Sequence, residues 1–194
     1  MSDAGYDAPA PTELRIQVPT VVVAVGANRG NAQAVVAAAI ARLRERSGAD
    51  FRASGLYRSS PVDCPPDSPD FINAAVRMSA LDGETPESLL LYLQQLEREF
   101  GRARGQPRNS PRELDLDLIL FGSECRSAPA LQLPHPRAHL RRFVLEPMAE
   151  VAGDLIWPVS ELAVSALCAA LRARQADQSN GDGSPPERLE RVLD

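Results

Sequence analysis

The sequence predicts an α+β fold: an antiparallel sheet built as a βαββαβ unit, with helices packed on it and further helices added after the last strand. Two observations about the chain predict this. Four short runs that are β-branched or alternate with period two are separated by two stretches with helical spacing, in the order strand, helix, strand, strand, helix, strand. A chain of 194 residues with 44% hydrophobic content also fits one core with tails better than two domains.

Residues 1–15 carry Pro9 and Pro11 without periodicity and are expected to be a disordered leader; 16–176 form the folded domain, and 177–194 a disordered polar tail. Thr20 to Val25 is continuously apolar and β-branched, a buried central strand. The turn Gly26 to Asn31 follows, its glycines spaced for a tight strand-to-helix connection, and Asn31 can cap the alanine-rich stretch Ala32 to Arg46. Arg52 to Arg58 is the second strand. It runs into a proline-rich loop over 59–69, long enough to be functional. Asp70 to Met78 is the third strand. Thr85-Pro86-Glu87-Ser88 opens a helix with a cap, a first-position proline and an acid, and that helix carries Leu89, Leu93 and Leu96 on its apolar stripe before Gly101 ends it. The fourth strand begins near Leu114. Leu114, Leu116, Leu118 and Leu120 are expected on one side of it, and Asp115 and Asp117 on the other. Helical segments from Arg141 and from Val159 to Ala176 complete a ferredoxin-like arrangement with its helices on one face of the sheet.

Charge and composition exclude whole classes. All 21 basic residues are arginine, which rules out a Walker-type phosphate loop, a protein-kinase lysine and Schiff-base chemistry on a side-chain amine. A net charge of -5 argues against a dedicated nucleic-acid binder, so the crowd of arginines over 98–112 is focused positive charge. RNA-recognition modules share the strand order, but they carry basic and aromatic residues where this sheet carries two aspartates. Three widely spaced cysteines form neither a disulfide framework nor a metal pair and fit a reducing compartment. No apolar run near the N-terminus is long enough to span a membrane. A cytoplasmic monomer without nucleic-acid or membrane partners is expected.

Two adjacent carboxylates on one strand face repel each other unless cations lie between them. Asp115 and Asp117 therefore read either as a solvated strand face or as a site for Mg²⁺ carrying a polyphosphate, with the upstream arginines turned to the phosphate oxygens. Phe71 and Asn73 share one face of the third strand, where they either pack across strands or stack on and hydrogen-bond a flat heterocycle. His135 suits a charge-assisted phosphate contact or a structural hydrogen bond.

These segments resemble a known family, 6-hydroxymethyl-7,8-dihydropterin pyrophosphokinase. The resemblance runs from about residue 20 to residue 172. It rests on Val25 to Asn31, Leu56 to Pro61, Pro69 to Val76, Gln94 to Arg104, Pro111 to Leu118, and Leu133 to Arg137 with Arg141 and Phe143 to Leu145. It implies transfer of the pyrophosphoryl group of ATP to the hydroxymethyl group of the reduced pterin, with release of AMP, in folate biosynthesis. Asp115 and Asp117 are then the ligands of two Mg²⁺ ions, and Arg102 and Arg112 join them as catalytic residues. Ser59, Val62, Phe71, Asn73 and Phe143 bind the pterin. Gln94, Glu97, Arg102, Arg104, Arg108, Arg112, Leu118, His135 and Arg141 bind ATP, with Arg104 and Arg108 in a loop that closes over both substrates. The chain departs from one common form of the family pattern at Asn109-Ser110, in place of Trp-Gly, at Glu113, in place of threonine, and at Pro136, in place of tyrosine.

Overall fold

The computed structural model describes residues 18–47, 50–61, 64–65, 67–101, 111–182 and 188–192. The expected central strand is β1 (Thr20–Ala27), and its continuous apolar run is explained by burial on both sides. It pairs antiparallel with β4 (Phe71–Ser79) on one side and with β5 (Asp115–Phe121) on the other. Beyond β4 lie β2 (Arg52–Ala53) and β3 (Leu56–Ser59), and beyond β3 a short strand, β8 (Leu189–Val192). The order across the sheet is β5-β1-β4-β3-β8. The strands β6 (Arg126–Ala128) and β7 (Leu131–Leu133) form a separate hairpin.

The expected second strand is split at Ser54, which keeps its N–H bond to the Ala75 carbonyl at 2.9 Å but gives up the carbonyl half of the exchange. Its hydroxyl accepts the Ala75 N–H at 2.9 Å, and the Gly55 N–H turns to the Glu150 carboxylate at 2.9 Å. The helix starts are as expected. Asn31 accepts the Ala34 N–H at 3.2 Å to open α1 (Ala32–Arg46). Thr85 and Ser88 exchange bonds as a capping box at the start of α2 (Pro86–Glu99).

Three expectations are corrected. The helices cover both faces of the sheet. On one, α1 packs Val36, Ala39 and Leu43, and α2 packs Leu89, Leu93 and Leu96, against Val21, Val23 and Val25. On the other, α3 (Arg142–Ala152) and α4 (Val164–Asp182) pack Leu145, Met148 and Cys168 against Val22, Ala75 and Leu120. A sheet apolar on both sides requires both layers. Next, Leu120 is not on the face of Leu116 and Leu118. Val22 pairs with Leu120 but Val23 pairs with Leu118, so Ile119 is an extra residue in a bulge, and Leu120 crosses to the second core. Finally, the segment 177–194 contains the end of α4 and all of β8, which pairs with β3 from Leu56↔Val192 to Ser59↔Leu189.

Register sets up the rest. Asp115, Gly26, Asn73, Tyr57 and Arg191 are successive cross-strand partners, so one row runs from edge to edge of the sheet on the α3 face. The neighbouring row holds Asp117, Ala24 and Ala75. Small residues in the middle of both rows leave room above the sheet.

Candidate active site

That room is a cleft of about 720 Å³, its open mouth included, between the β5 end of the sheet and the start of α3. Asp115 and Asp117 line it from the edge strand, Phe71, Asn73 and Ser59 from β4 and β3, Arg141 from the residue that caps α3, and Phe143 from the first turn of α3. Alternation puts the two aspartates on this face, as expected. The sheet thus brings together most of the residues anticipated for the acceptor and the metals.

Asp117 is partly buried in the cleft. Its pKa is raised to about 7, first by desolvation and then by the charges of Asp115 and Glu97, with Arg112 and Arg141 pulling the other way. Arg112 donates from Nη1 to Asp115 Oδ2 at 2.6 Å and supplies positive charge to the pair. The site therefore holds a carboxylate whose charged form is under-compensated by the protein, which is what a bound cation relieves. The donors are all oxygen, and among the described residues no third His, Cys, Asp or Glu joins them to form a cage. Two carboxylates without a cage fit Mg²⁺, which keeps water and substrate phosphates in its shell.

Asn73 is buried, and both of its amide hydrogens are used: Nδ2 donates to Ser59 Oγ at 3.0 Å and to the Tyr57 carbonyl at 3.3 Å. Its Oδ1 lies over Gly26, 3.6 Å from where a β-carbon there would stand. Asn73 thus presents an acceptor to the cleft. Phe71 faces it from the strand and Phe143 from the first turn of α3, with the Arg141 guanidinium 5.5 Å from the Phe143 ring centre.

Other anticipated residues stand elsewhere. Gln94 is exposed on α2, one turn before Glu97. Glu97 is buried and accepts the Leu116 N–H at 2.8 Å, fixing β5 from behind. Leu118 is buried in the α1–α2 core, on the face opposite the aspartates. A ligand reaching from Asp117 to Leu118 would have to cross the edge of β5. His135 donates its backbone N–H to Ile119 O at 3.0 Å, and its Nδ1 accepts the Arg137 N–H at 3.3 Å. Burial first, then Arg141 and Arg137, lowers its pKa to about 4. At neutral pH it is an uncharged imidazole with its proton on Nε2, so a phosphate contact from here is a neutral hydrogen bond. Glu113, expected as an extra acid beside the metal strand, is paired with Arg29 at 2.7 Å. Val62, Arg102, Arg104 and Arg108 lie outside the described residues, as does Asn109-Ser110.

One residue escaped sequence reasoning. Asn28, buried in what reads as a simple turn, accepts the Arg112 N–H at 2.7 Å, donates its own N–H to the Arg112 carbonyl at 3.0 Å, and donates from Nδ2 to the Pro69 carbonyl at 3.2 Å. It ties the arginine that meets Asp115 to the strand that delivers Phe71. Its place beside glycines was the available signal, since a buried amide in a turn needs partners on both sides.

An acid pair faced by arginines thus shares one cleft with two phenylalanines and a buried amide, the residue classes of a site for a metal-bound anion beside a flat ligand. Comparison with known proteins makes the class particular: residues 22–153 match the family described as 7,8-dihydro-6-hydroxymethylpterin-pyrophosphokinase (HPPK), and the chain belongs to that family. It is 38% identical over 152 residues to the 2-amino-4-hydroxy-6-hydroxymethyldihydropteridine pyrophosphokinase of Synechocystis, covering 78% of this chain and 75% of that one. It is 38% identical over 143 residues to the enzyme of the same name from Pseudomonas aeruginosa, covering 73% and 85%. It is also 33% identical to the folic acid synthesis protein fol1 of Pneumocystis carinii, over 79% of this chain but only 20% of that protein. The fold matches a Plasmodium falciparum HPPK-DHPS crystal structure with a TM-score of 0.70 at 12% identity, covering 91% of this chain and 46% of that one. The chain thus spans a fifth to about half of these longer proteins. Among the described residues no helix is long and apolar enough to cross a membrane.

Proposed function

We propose that this chain transfers the pyrophosphoryl group of ATP to the hydroxymethyl group of 6-hydroxymethyl-7,8-dihydropterin, releasing AMP, as a step of folate biosynthesis. The observation that carries the reading is the shared cleft: Asp115 and Asp117 on one sheet face with Phe71 and Asn73, and Phe143 above them. The ferredoxin-like strand order, a pair of Mg²⁺ ions and a monomeric enzyme belong to the same proposal.

In this reading Phe71 and Phe143 hold the pterin by its two faces. Asn73 Oδ1 accepts an N–H from its edge. Asp115 and Asp117 hold the Mg²⁺ ions, which when bound acidify the acceptor hydroxyl and neutralise phosphate oxygens. Arg112 and Arg141 then face the charge that builds on the transferring group, and His135 adds a neutral donor. The acceptor oxygen bonds to the β-phosphorus as the bond to the α,β-bridging oxygen breaks. AMP leaves with that oxygen, and the hydroxyl proton is lost to solvent. Positioning and charge neutralisation supply the catalysis, so the cleft needs no nucleophilic side chain.

The test is the product. Purified protein given ATP, Mg²⁺ and the reduced pterin should form AMP in step with pterin consumption. ADP as the nucleotide product, or nucleotide turnover indifferent to the pterin, would overturn the assignment.

A further inference from the structure

The family match ends at residue 153, yet β8 lies at residues 189–192 and pairs with β3, whose last residue, Ser59, lines the cleft. Arg188, just before β8, touches both ends of the segment between β3 and β4. Its carbonyl accepts the Ser60 N–H at 3.1 Å, and its guanidinium pairs with the Asp70 carboxylate. Ser60 follows Ser59, whose hydroxyl orients Asn73, and Asp70 precedes Phe71. On the α3 face, Arg191 reaches Glu150 at 3.4 Å, and Glu150 also accepts from the Tyr57 hydroxyl and the Gly55 N–H. Without β8, the four residues of β3 would be an edge strand held by β4 alone.

We propose that the C-terminal strand, through Arg188, is a positioning element for the acceptor substrate: it fixes Ser59–Ser60 against Asp70–Phe71 and so sets the Asn73 amide and the Phe71 ring. The inference rests on reading the Phe71–Asn73–Phe143 side of the cleft as the pterin site. Arg188 touches no substrate in this account. It acts through Ser60 and Asp70.

Steady-state kinetics on the full chain tests it, with Asn73→Ala run in parallel. Arg188→Gln removes the ion pair and keeps the backbone bond. Because the pair is half exposed, the expected rise in KM for the pterin is about two- to fivefold, with kcat and KM for ATP unchanged. Removing residues 188–194 should raise it further. The charge exchange Arg188→Asp with Asp70→Arg should return KM towards the wild-type value. A pterin KM that stays put in Arg188→Gln while Tm falls would reduce β8 to a structural strand and overturn the proposal. So would an equal rise in both KM values, or a charge exchange that restores nothing. If truncation prevents folding, Arg188→Gln and the exchange decide. If Asn73→Ala leaves the pterin KM unchanged, the placement of the acceptor fails instead, and the two failures are distinguishable.

Discussion

Asp117 carries the most consequential charge of the site. In the unfolded chain it ionises near its ordinary value of 3.8, whereas in the fold it keeps its proton to about pH 7. Folding therefore binds a proton between those values, and the contribution of this residue to stability falls as pH rises from about 4 through about 7. A divalent cation should reverse this by binding the ionised form. The Tm rise on adding Mg²⁺ should accordingly be larger at pH 8 than at pH 5.5, where apparent affinity is about thirtyfold weaker for a group that ionises at about 7. Asp117→Asn should lose turnover, keep its fold, and match or exceed the metal-free wild-type Tm at pH 8. Equal Mg²⁺ shifts at both pH values would place the cation elsewhere. Gly26 offers a second test at this scale. Its backbone is extended and a β-carbon would meet Asn73 Oδ1 at an ordinary 3.6 Å, so Gly26→Ala should fold with an unchanged or slightly higher Tm. The methyl group would cover the acceptor atom, and KM for the pterin should rise about three- to tenfold. Unchanged KM would mean that Oδ1 does not read the substrate.

At the scale of elements, the cleft depends on how strand ends are joined. Asn28 links the end of β1 to Arg112 and to Pro69. Asn28→Ala would leave the partly buried Arg112 N–H and the Pro69 carbonyl without their side-chain partner, costing about 1 kcal/mol in stability, read as a lower Tm. Because Arg112 and Phe71 would both lose their register, kcat/KM should fall by about tenfold or more. A lower Tm with intact kinetics would confine Asn28 to a structural role. This element was legible only as a turn, since its function lies in contacts with residues 69 and 112, far along the chain. The aspartate pair, the Phe71–Asn73 face and both helix caps were legible because alternation and capping are local rules. The bulge at Ile119 was not, because it exists only in the pairing of β5 with β1. Nor was β8, whose four residues become a strand only by docking on β3.

Over the whole molecule, the start of α3 roofs the cleft, α4 packs on α3, and Glu146 joins the two helices. Buried and flanked, it accepts from Arg142 at 3.0 Å and from Arg172 Nε at 2.7 Å, and the Arg172 bond above all holds its pKa below the usual carboxylate range. The stability it contributes is present above its unfolded pKa and is lost as pH falls through the lower folded value. Glu146→Gln should lower Tm at pH 7 by an amount reflecting about 1–3 kcal/mol, with the gap to wild type narrowing as pH falls below the ordinary glutamate value of 4.5. Since these contacts lie away from the cleft, kcat/KM should stay within about twofold; a larger loss would show that the roof also aligns Phe143. Beneath the roof, the row Asp115–Gly26–Asn73–Tyr57–Arg191 acts as a gauge. Asp115 and Asn73 stand two strands apart, about 10 Å at the usual interstrand spacing. Backbone hydrogen bonds set that interval, and no side-chain replacement can stretch it. Only a lost strand or a one-residue slip would change it, and a slip would send the slipped strand's residue to the opposite face. In the proposed reaction, acceptor preference is therefore free to vary in the side chains that stand on the sheet, while the reach from acceptor to metal is counted in whole strands.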